Sequence, residues 1–192
     1  MLAIYVWWIG ADAADQTLLE RVRTQLASTF ELPARVWHSD DRPADTWDPR
    51  RGQHSSTTTL RWLAQHRPHE ARKMLAVTDV DLFIPVLTFV FGEAQLGGRV
   101  AVVSTARLGM GADGRRLLTS RLIKECVHEL GHTFGLLHCA TPGCVMGRSS
   151  NLPSVDAKAS RLCPDCRLLY LEHLSREGDE HEQGADQDPG RR

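Results

Sequence analysis

The chain has 192 residues, with 23 Lys and Arg against 24 Asp and Glu, so its formal net charge is −1. That length suits one domain with a sizeable core, and the charge balance gives no electrostatic reason to expect a nucleic-acid partner. No apolar run approaches the length of a membrane span, so we expect no membrane partner and a cytoplasmic location, while the composition indicates no oligomeric state.

The N-terminal half alternates between predicted strands and helices. Residues 1–10 are apolar but lack a basic region and precede Asp12, so they predict a buried strand rather than a signal peptide. The predicted elements are strands at 2–9, 34–38, 73–78, 89–91 and 99–104, helices at 13–30 and 55–66 (the latter capped by Ser55 or Ser56), and a loop at 40–52. This alternation predicts an α/β fold with a twisted, mostly parallel sheet packed with helices.

The C-terminal half is predicted to be mainly helical. Helices are expected at 119–134, with Thr119 or Ser120 as the N-cap, at 154–162 and at 168–174. The tail, residues 175–192, is acidic and nearly free of apolar residues, so we expect it to be disordered. We also expect His173 and His181 to be solvated. The predicted single domain therefore spans residues 1–174.

The segment HELGHTFGLLH, residues 128–138, carries three histidines and a glutamate at the spacing of a zinc site. His128 and His132 are four residues apart, which places both imidazoles on one face of a helix. Gly135 permits a sharp, left-handed turn that ends this active-site helix, after which the chain returns with His138 as a third ligand. Three protein ligands leave one zinc position open, as a hydrolytic site requires.

Glu129 lies between the first two histidines, where it suits a general base that takes a proton from zinc-bound water. Zinc lowers the pKa of such a water from about 15.7 to about 7 in favourable sites. The short HExxH pattern also recurs by chance, in which case the histidines are ordinary core or surface residues. The extended motif adds two fixed positions and a helix-ending glycine, and it favours the zinc interpretation.

Four cysteines form two pairs with the spacing of zinc knuckles. They are Cys139 with Cys144, and Cys163 with Cys166. A closed sulfur site has no place for water, so we expect a second, structural zinc that stabilises the segment 139–166. The alternative is two disulfides, which need an oxidising compartment and would leave the fifth cysteine, Cys126, without a disulfide partner. Cys126 itself is predicted to be a buried, inert thiol.

These residues resemble the archaemetzincins, a family of metzincin zinc peptidases. The family pattern matches from His128 to Met146, and the CxxC pair follows after a spacer of 16 residues, one shorter than the family's form. The resemblance implies a compact metzincin-like domain, two Zn²⁺ per chain, and a peptide or protein substrate. The implied roles are His128, His132 and His138 as ligands of the catalytic zinc, Glu129 as the base, Met146 as the Met-turn residue beneath that zinc, and Cys139, Cys144, Cys163 and Cys166 as ligands of the structural zinc.

Three further features have more than one interpretation each. Asp79 and Asp81 follow a predicted strand, where they bind a cation, orient a catalytic histidine or stabilise a turn. Residues 89–94 form either an edge strand that aligns an extended peptide or an ordinary core strand. Trp47 lines a cleft or anchors a loop. The glycine-rich loop at 109–114 lacks the ending of a phosphate-binding loop, so we exclude a nucleotide site.

The leading functional hypothesis is a zinc metallopeptidase that hydrolyses peptide bonds. The alternative is a catalytically silent zinc protein that binds peptides or a protein partner in the same cleft. A third possibility is hydrolysis of another kind of amide. The intact Glu129 favours hydrolysis, because a binding or structural zinc site has no need of a base at that position.

Overall fold

The computed structural model describes residues 2–13, 15–110 and 112–185. The strands are β1 (Ala3–Trp8), β2 (Ala34–Trp37), β3 (Trp47–Asp48), β4 (Gln53–Ser55), β5 (Ala71–Thr78), β6 (Leu82–Phe83), β7 (Gly92–Ala94) and β8 (Val100–Ser104). The helices are α1 (Gln16–Phe30), α2 (Ser56–His66), α3 (Gly114–Thr133), α4 (Leu152–Ala157) and α5 (Pro164–Ala185). Within these ranges, no helix combines the length and apolar character that a bilayer crossing needs.

The main sheet has five strands in the order β2-β1-β5-β8-β7. Strands β1, β2, β5 and β8 run parallel, whereas β7 runs antiparallel to β8 at the edge of the sheet. Gly92 pairs with Val103 and Ala94 pairs with Ala101 across that edge. The predicted α/β class with a mostly parallel, mixed sheet is therefore confirmed.

Alternating residues of the strands supply a separate core on each face of the sheet. Ile4 and Val6 of β1 face the larger core, which includes residues of α1 and α3. Tyr5 and Trp7 face the smaller core, where α2 contributes Leu60 and Leu63. This period-two alternation is what a strand buried on both faces produces, and it fixes the helices on opposite sides of the sheet.

Side-chain caps fix the starts of the first two helices. Asp15 accepts a hydrogen bond from the Leu18 backbone N–H at the start of α1, and Ser55 accepts one from Thr58 at the start of α2. The prediction of Ser55 as a cap is confirmed. Helix α1 starts later than predicted, since its cap is Asp15 and not a residue near 13.

Helix α3 begins five residues before the predicted caps, Thr119 and Ser120, which lie inside it. Its N-cap, Asp113, makes no side-chain capping bond. Gly114 opens the helix because the carbonyl of Gly109 lies where a side chain would be: a Cβ at position 114 would come 1.8 Å from that oxygen. A hydroxyl side chain caps a helix only where the chain enters it, so the sequence signal at 119–120 was misleading.

The segment between residues 40 and 94 differs most from the prediction. A second sheet of β3, β4 and β6 was not predicted, because strands of two or three residues carry no readable periodicity. The strand predicted at 89–91 is displaced to β7 at 92–94. Val90 makes an isolated bridge to Leu82, and Phe89 and Phe91 pack their rings against each other before pairing with β8 begins.

The C-terminal helices also have different bounds. Helix α4 is earlier and shorter than the predicted helix at 154–162, with Asn151 and Ser154 forming a capping box. Helix α5 begins at Pro164 and continues through Ala185, so 175–185, predicted to be disordered, are helical. Extending an existing helix costs less than nucleating one, and Tyr170, buried against Phe30, anchors its first half. Residues 186–192 lie outside the described part of the chain.

Candidate active site

Helix α3 carries His128 and His132 one turn apart, with their Nε2 atoms 3.2 Å from each other. The His138 ring lies 5.3 Å from the His128 ring and 5.0 Å from the His132 ring, between ring centroids. One nitrogen of each of the three rings lies within 4.8 Å of the others. Three nitrogen atoms at such separations can contact a single ion at the usual distance of about 2.0–2.1 Å.

A left-handed glycine returns the chain from α3 to His138. Gly135 has φ 84°, and the Leu136 N–H bonds back to the Gly131 carbonyl. This is the helix-ending turn that the sequence predicted at Gly135. A Cβ at position 135 would lie 2.7 Å from Nδ1 of His173, so glycine is needed for both conformation and space.

Backbone carbonyls orient the two helical imidazoles. Nδ1 of His128 lies 2.8 Å from the Val145 carbonyl oxygen, and Nδ1 of His132 lies 2.7 Å from that of Leu136. A carbonyl accepts only from a protonated nitrogen, so each ring carries its proton on Nδ1 and leaves the Nε2 lone pair toward the cluster. This is the arrangement that suits an imidazole ligand of a metal.

Burial favours the neutral form of all three rings. It lowers the pKa of His128 well below the ordinary value, and the ammonium of Lys158 adds to the effect. The pKa of His132 is also lowered by burial, and that of His138, at the rim, is lowered by partial burial and by His132. Neutral imidazoles can bind a metal ion, so the chemistry of this donor set fits zinc.

Glu129 is a buried carboxylate beside this cluster, 6% exposed. Burial raises its pKa well above the ordinary value, and the charge of Glu125 raises it further. Gly92 of β7 packs directly on it, because a Cβ at position 92 would come 2.6 Å from Cγ of Glu129. Sequence reasoning missed this role of Gly92, although a glycine in a strand is a known sign of close approach.

Met146 is fully buried and lies against α3 at Gly131. A Cβ at Gly131, the residue before His132, would come 2.6 Å from Sδ of Met146. The Met146 carbonyl accepts from the Cys139 N–H at 3.0 Å, so the methionine is held beside the third histidine as well. It therefore forms an apolar contact to α3 at the level of the histidine pair.

The cluster opens into a cleft of about 440 Å³. The cleft is lined by residues 87–94, by Glu125, His128, Glu129, His132 and His138, and by Arg148, Ser149 and Ser150. Strand β7 forms one wall, and its turn to β8 is tied to α3 by a bond from the Gly97 N–H to the His132 carbonyl oxygen, 2.9 Å. Residues 92–94 lie at the edge of the sheet, and the alignment of a peptide by this strand stays a prediction.

The four predicted cysteine ligands also meet. Their Sγ atoms lie within 4.8 Å of one another, with Cys139 and Cys163 3.8 Å apart and Cys144 and Cys166 3.8 Å apart. All are free thiols, so the predicted alternative of two disulfides is not the arrangement in this structure. Four sulfur atoms this close cannot all be thiolates without a cation between them, and a tetrahedral zinc is the cation that suits four sulfur donors.

The pKa values of these thiols diverge because backbone hydrogen bonding and burial act on them in opposite directions. Backbone hydrogen bonding from Cys166 lowers the pKa of Cys163 to about 7. Burial raises the pKa of Cys144 and of Cys166. Cys126 lies apart from the cluster, is fully buried, and has its pKa raised by burial, which confirms the prediction of an inert thiol.

Several other residues lie outside the cleft. Asp79 accepts from the Ala11 and Asp12 N–H groups, and Asp81 pairs with Arg107 at 2.7 Å. The contacts of Asp79 support the turn interpretation, whereas Asp81 is the partner of an ion pair. Neither orients a helical histidine, since backbone carbonyls do so. Trp47 lines a different depression. His173 is not solvated, because its Nδ1 lies 2.8 Å from the Phe134 carbonyl oxygen, while the His181 side chain lies outside the described part.

A helix-borne HExxH, a third histidine after a left-handed glycine and an edge strand along the cleft define the class of zinc metallopeptidases. Residues 71–172 match the model of Peptidase family M54. The chain is 43% identical to an archaemetzincin of Methanopyrus kandleri over 136 residues, which is 71% of this chain and 76% of that protein. The chain therefore belongs to peptidase family M54, and the predicted resemblance to the archaemetzincins is confirmed.

Solved structures agree with this assignment. The crystal structure of the Methanopyrus kandleri archaemetzincin has a TM-score of 0.81 at 34% identity and covers 91% of this chain and 96% of its own. A zinc-dependent peptidase from Methanocorpusculum labreanum has a TM-score of 0.77 at 31% identity, covering 88% and 100%. The protein is thus a zinc metallopeptidase, a hydrolase whose substrates are peptides.

Proposed function

We propose that this protein hydrolyses peptide bonds with a catalytic zinc held by His128, His132 and His138 and with Glu129 as the general base. The observation that carries the proposal is the convergence of three imidazoles, with one nitrogen of each within 4.8 Å of the others, beside a buried carboxylate. When bound, zinc supplies Lewis-acid chemistry, since it polarises a carbonyl oxygen and lowers the pKa of water. The two backbone carbonyls at Nδ1 keep the helical imidazoles in the tautomer that binds metal.

Glu129 accepts and then donates the transferred proton in this mechanism. The Glu129 carboxylate lines the cleft beside the three histidines, so it can take a proton from the attacking water. The same carboxyl group then gives the proton to the departing amine, which is a poor leaving group without it. Gly92 permits this role, because any larger residue would occupy the space of the Glu129 side chain.

Strand β7 positions the substrate. It is the edge of the five-stranded sheet and pairs on one side with β8. An extended peptide that adds to its free side gains main-chain hydrogen bonds and lies along the cleft wall that contains Glu129. Backbone recognition of this kind accepts varied sequences, and side-chain preference then depends on the apolar wall at residues 87–91.

The proposal includes a second, structural zinc bound by Cys139, Cys144, Cys163 and Cys166, giving two ions per chain. Four sulfur donors leave no open position, so this ion has no part in hydrolysis. Met146 serves as the apolar floor of the catalytic site. A tetrathiolate site needs reduced cysteines, which fits a reducing compartment such as the cytoplasm. Residues 1–174 form the catalytic domain in this proposal.

A peptide library tests the proposal. We expect the purified protein to contain two zinc ions per chain and to cleave peptides in a way that a chelator abolishes and added zinc restores. Two zinc ions without cleavage of any peptide would instead indicate the silent zinc protein that binds peptides in the same cleft. A protein without zinc in the histidine site would contradict the proposal outright.

A further inference from the structure

A buried ion pair lies behind the cleft wall, and the mechanism above does not use it. Nζ of Lys158 is 2.8 Å from Oε1 of Glu125, and the two side chains are 5% and 2% exposed. Glu125 belongs to α3, one turn before Glu129, and it lines the same cleft. Lys158 comes from a different element, since it is the C-cap of α4.

The same ammonium holds the opposite part of the wall. It donates to the Gly147 carbonyl at 3.1 Å and to Oγ of Ser149, and Ser149 in turn donates to Oε1 of Glu125 at 2.8 Å. The three protons of Lys158 thus have three acceptors, on α3 and on the loop 147–150. Because this loop contributes Arg148, Ser149 and Ser150 to the cleft, Lys158 fixes its distance from α3.

The cysteine cluster fixes Lys158 itself. The lysine lies between Cys144 and Cys163, and the chain on either side is bonded to the first knuckle. The Ala159 N–H donates to the Gly143 carbonyl at 2.9 Å, and the Val145 N–H donates to the Arg161 carbonyl at 3.1 Å. Lys158 therefore adds a side-chain link between the four-sulfur cluster and the cleft wall to the backbone bond from the Gly147 N–H to the Cys144 carbonyl.

The energetics of buried ion pairs indicate that the Lys158–Glu125 pair orients neighbouring groups more than it stabilises the fold. A buried ion pair loses much of its Coulombic attraction to desolvation, and an apolar pair of similar volume is often as stable. An apolar pair cannot hold the Ser149 hydroxyl and the Gly147 carbonyl in one geometry, whereas an ammonium with three acceptors can. The ammonium also neutralises Glu125, which would otherwise be a second unpaired carboxylate on the face of α3 that carries Glu129.

We propose that Lys158 is a positioning residue: with Glu125 and Ser149 it sets the loop 147–150 as a wall of the peptide-binding cleft. This inference rests on the proposed function only in taking peptide as the ligand of that wall. Loss of Lys158 then weakens substrate binding more than it slows the chemical step. Zinc content stays at the level of the native protein, because no ligand is altered.

The test removes the charges of both Glu125 and Lys158, so that neither remains as an unpaired buried charge. The double variant Glu125→Leu/Lys158→Met replaces the pair by apolar side chains, so it keeps its fold, and Ser149→Ala is a milder second variant. The matched control is Lys124→Met, because Lys124 also joins α3 to α4, through the Val155 and Asp156 carbonyls at 3.2 and 2.9 Å, but these acceptors lie on α4 and not on the loop 147–150.

Two measurements are made on the zinc-loaded full chain. With the peptide that the native protein cleaves fastest, we expect KM of the double variant to rise about tenfold, with kcat changed less than about threefold. Amide hydrogen exchange of residues 147–150 should accelerate, while that of the two cysteine knuckles, residues 139–144 and 163–166, stays native. Ser149→Ala should show a smaller change in the same direction, and Lys124→Met should show neither change.

Each outcome decides a different question. Native KM and native exchange at 147–150 in the double variant would overturn the inference and leave the proposed function intact. Failure of the native protein to cleave any peptide would count against the proposed function, while accelerated exchange confined to 147–150 would still support the positioning role. Equal changes in Lys124→Met would show that any loosening of α4 suffices, which also overturns the inference.

Discussion

Gly92 of β7 and Glu129 of α3 are packed so closely that no side chain fits between them: a Cβ at position 92 would lie 2.6 Å from Cγ of Glu129 and 2.7 Å from the Val102 carbonyl oxygen. The edge strand and the base of the proposed mechanism are therefore a single geometric unit. A displacement of β7 at Gly92 is therefore expected to displace the Glu129 carboxylate as well.

Gly92→Ala tests that unit. We expect kcat/KM to fall about a hundredfold, because the added methyl must displace either the carboxylate or the strand that holds the substrate. Zinc content should remain native. The matched control is Gly109→Ala, where the added methyl would meet only Cδ1 of Leu118 at 3.8 Å, an ordinary contact. Peptide cleavage by the two variants, at equal zinc content, is the measurement. Native activity in Gly92→Ala would show that the structure places the two groups too close.

Gly135→Ala should affect both stability and the third histidine. The residue has φ 84°, which alanine adopts only with strain, and its Cβ would collide with His173. We expect a loss of about 1–3 kcal/mol in the free energy of unfolding, together with weaker zinc binding because the chain to His138 is displaced. Chemical denaturation and a zinc competition assay measure the two effects. Adding His173→Ala should relieve only the collision, so a complete rescue would contradict a contribution from backbone strain.

The two zinc sites should respond differently to loss of one ligand. Cys163→Ser should lower the melting temperature by roughly 10 °C, because it opens the cluster that joins two loops and the start of α5. His132→Ala should remove activity and one zinc, with a much smaller change in melting temperature. Calorimetry with zinc analysis measures both. Equal losses of stability in the two variants would argue against separate structural and catalytic roles.

An ion pair between the buried Arg121 and the partly exposed Asp156 gives a pH-dependent prediction. Arg121 on α3 donates two hydrogen bonds to Asp156 on α4, at 2.8 and 2.7 Å, and this pairing lowers the pKa of Asp156 below the ordinary 3.8. Its stabilising contribution is therefore complete above that ordinary value and is lost as the pH falls through the lower pKa of the folded state.

Asp156→Asn should lower the free energy of unfolding by about 1–2 kcal/mol at neutral pH. This value is smaller than for a fully buried pair, because solvent screens the partly exposed carboxylate. The difference in the free energy of unfolding between the variant and the native protein should become smaller as the pH falls. Urea unfolding at several pH values measures it. Glu20→Gln, in an exposed pair with Arg23, is the control and should change stability by less than about 0.5 kcal/mol. A constant difference across the acidic range would show that the Asp156 carboxylate is not the titrating group.

The sequence predicted local chemistry better than tertiary contacts. Spacing alone predicted that His128, His132 and His138 meet, and their rings converge in the structure, because a helical turn and a glycine-dependent reversal are local events. The same holds for the four cysteines. Lys158 and Glu125 were missed, since they are distant in sequence and lie within no recognisable motif. Nothing in the sequence shows that an ammonium from α4 reaches a carboxylate on α3.

The errors in the fold have a similar cause. The hydroxyl residues Thr119 and Ser120 predicted a helix start that the approach of Gly109 to Gly114 actually determines. The aromatic residues at 89–91 predicted a strand, but pairing with β8 begins only at Gly92. Both outcomes depend on which segments meet in space, and local propensity carries little information about that.

The central claim is that Glu129 acts as the base beside a zinc held by three histidines. The most direct test is peptide cleavage by Glu129→Gln, measured after zinc analysis has shown two ions per chain. We expect native zinc content and a turnover reduced by about a thousandfold or more, because the amide cannot accept the proton. Turnover within about tenfold of the native protein, at full zinc content, would contradict the account.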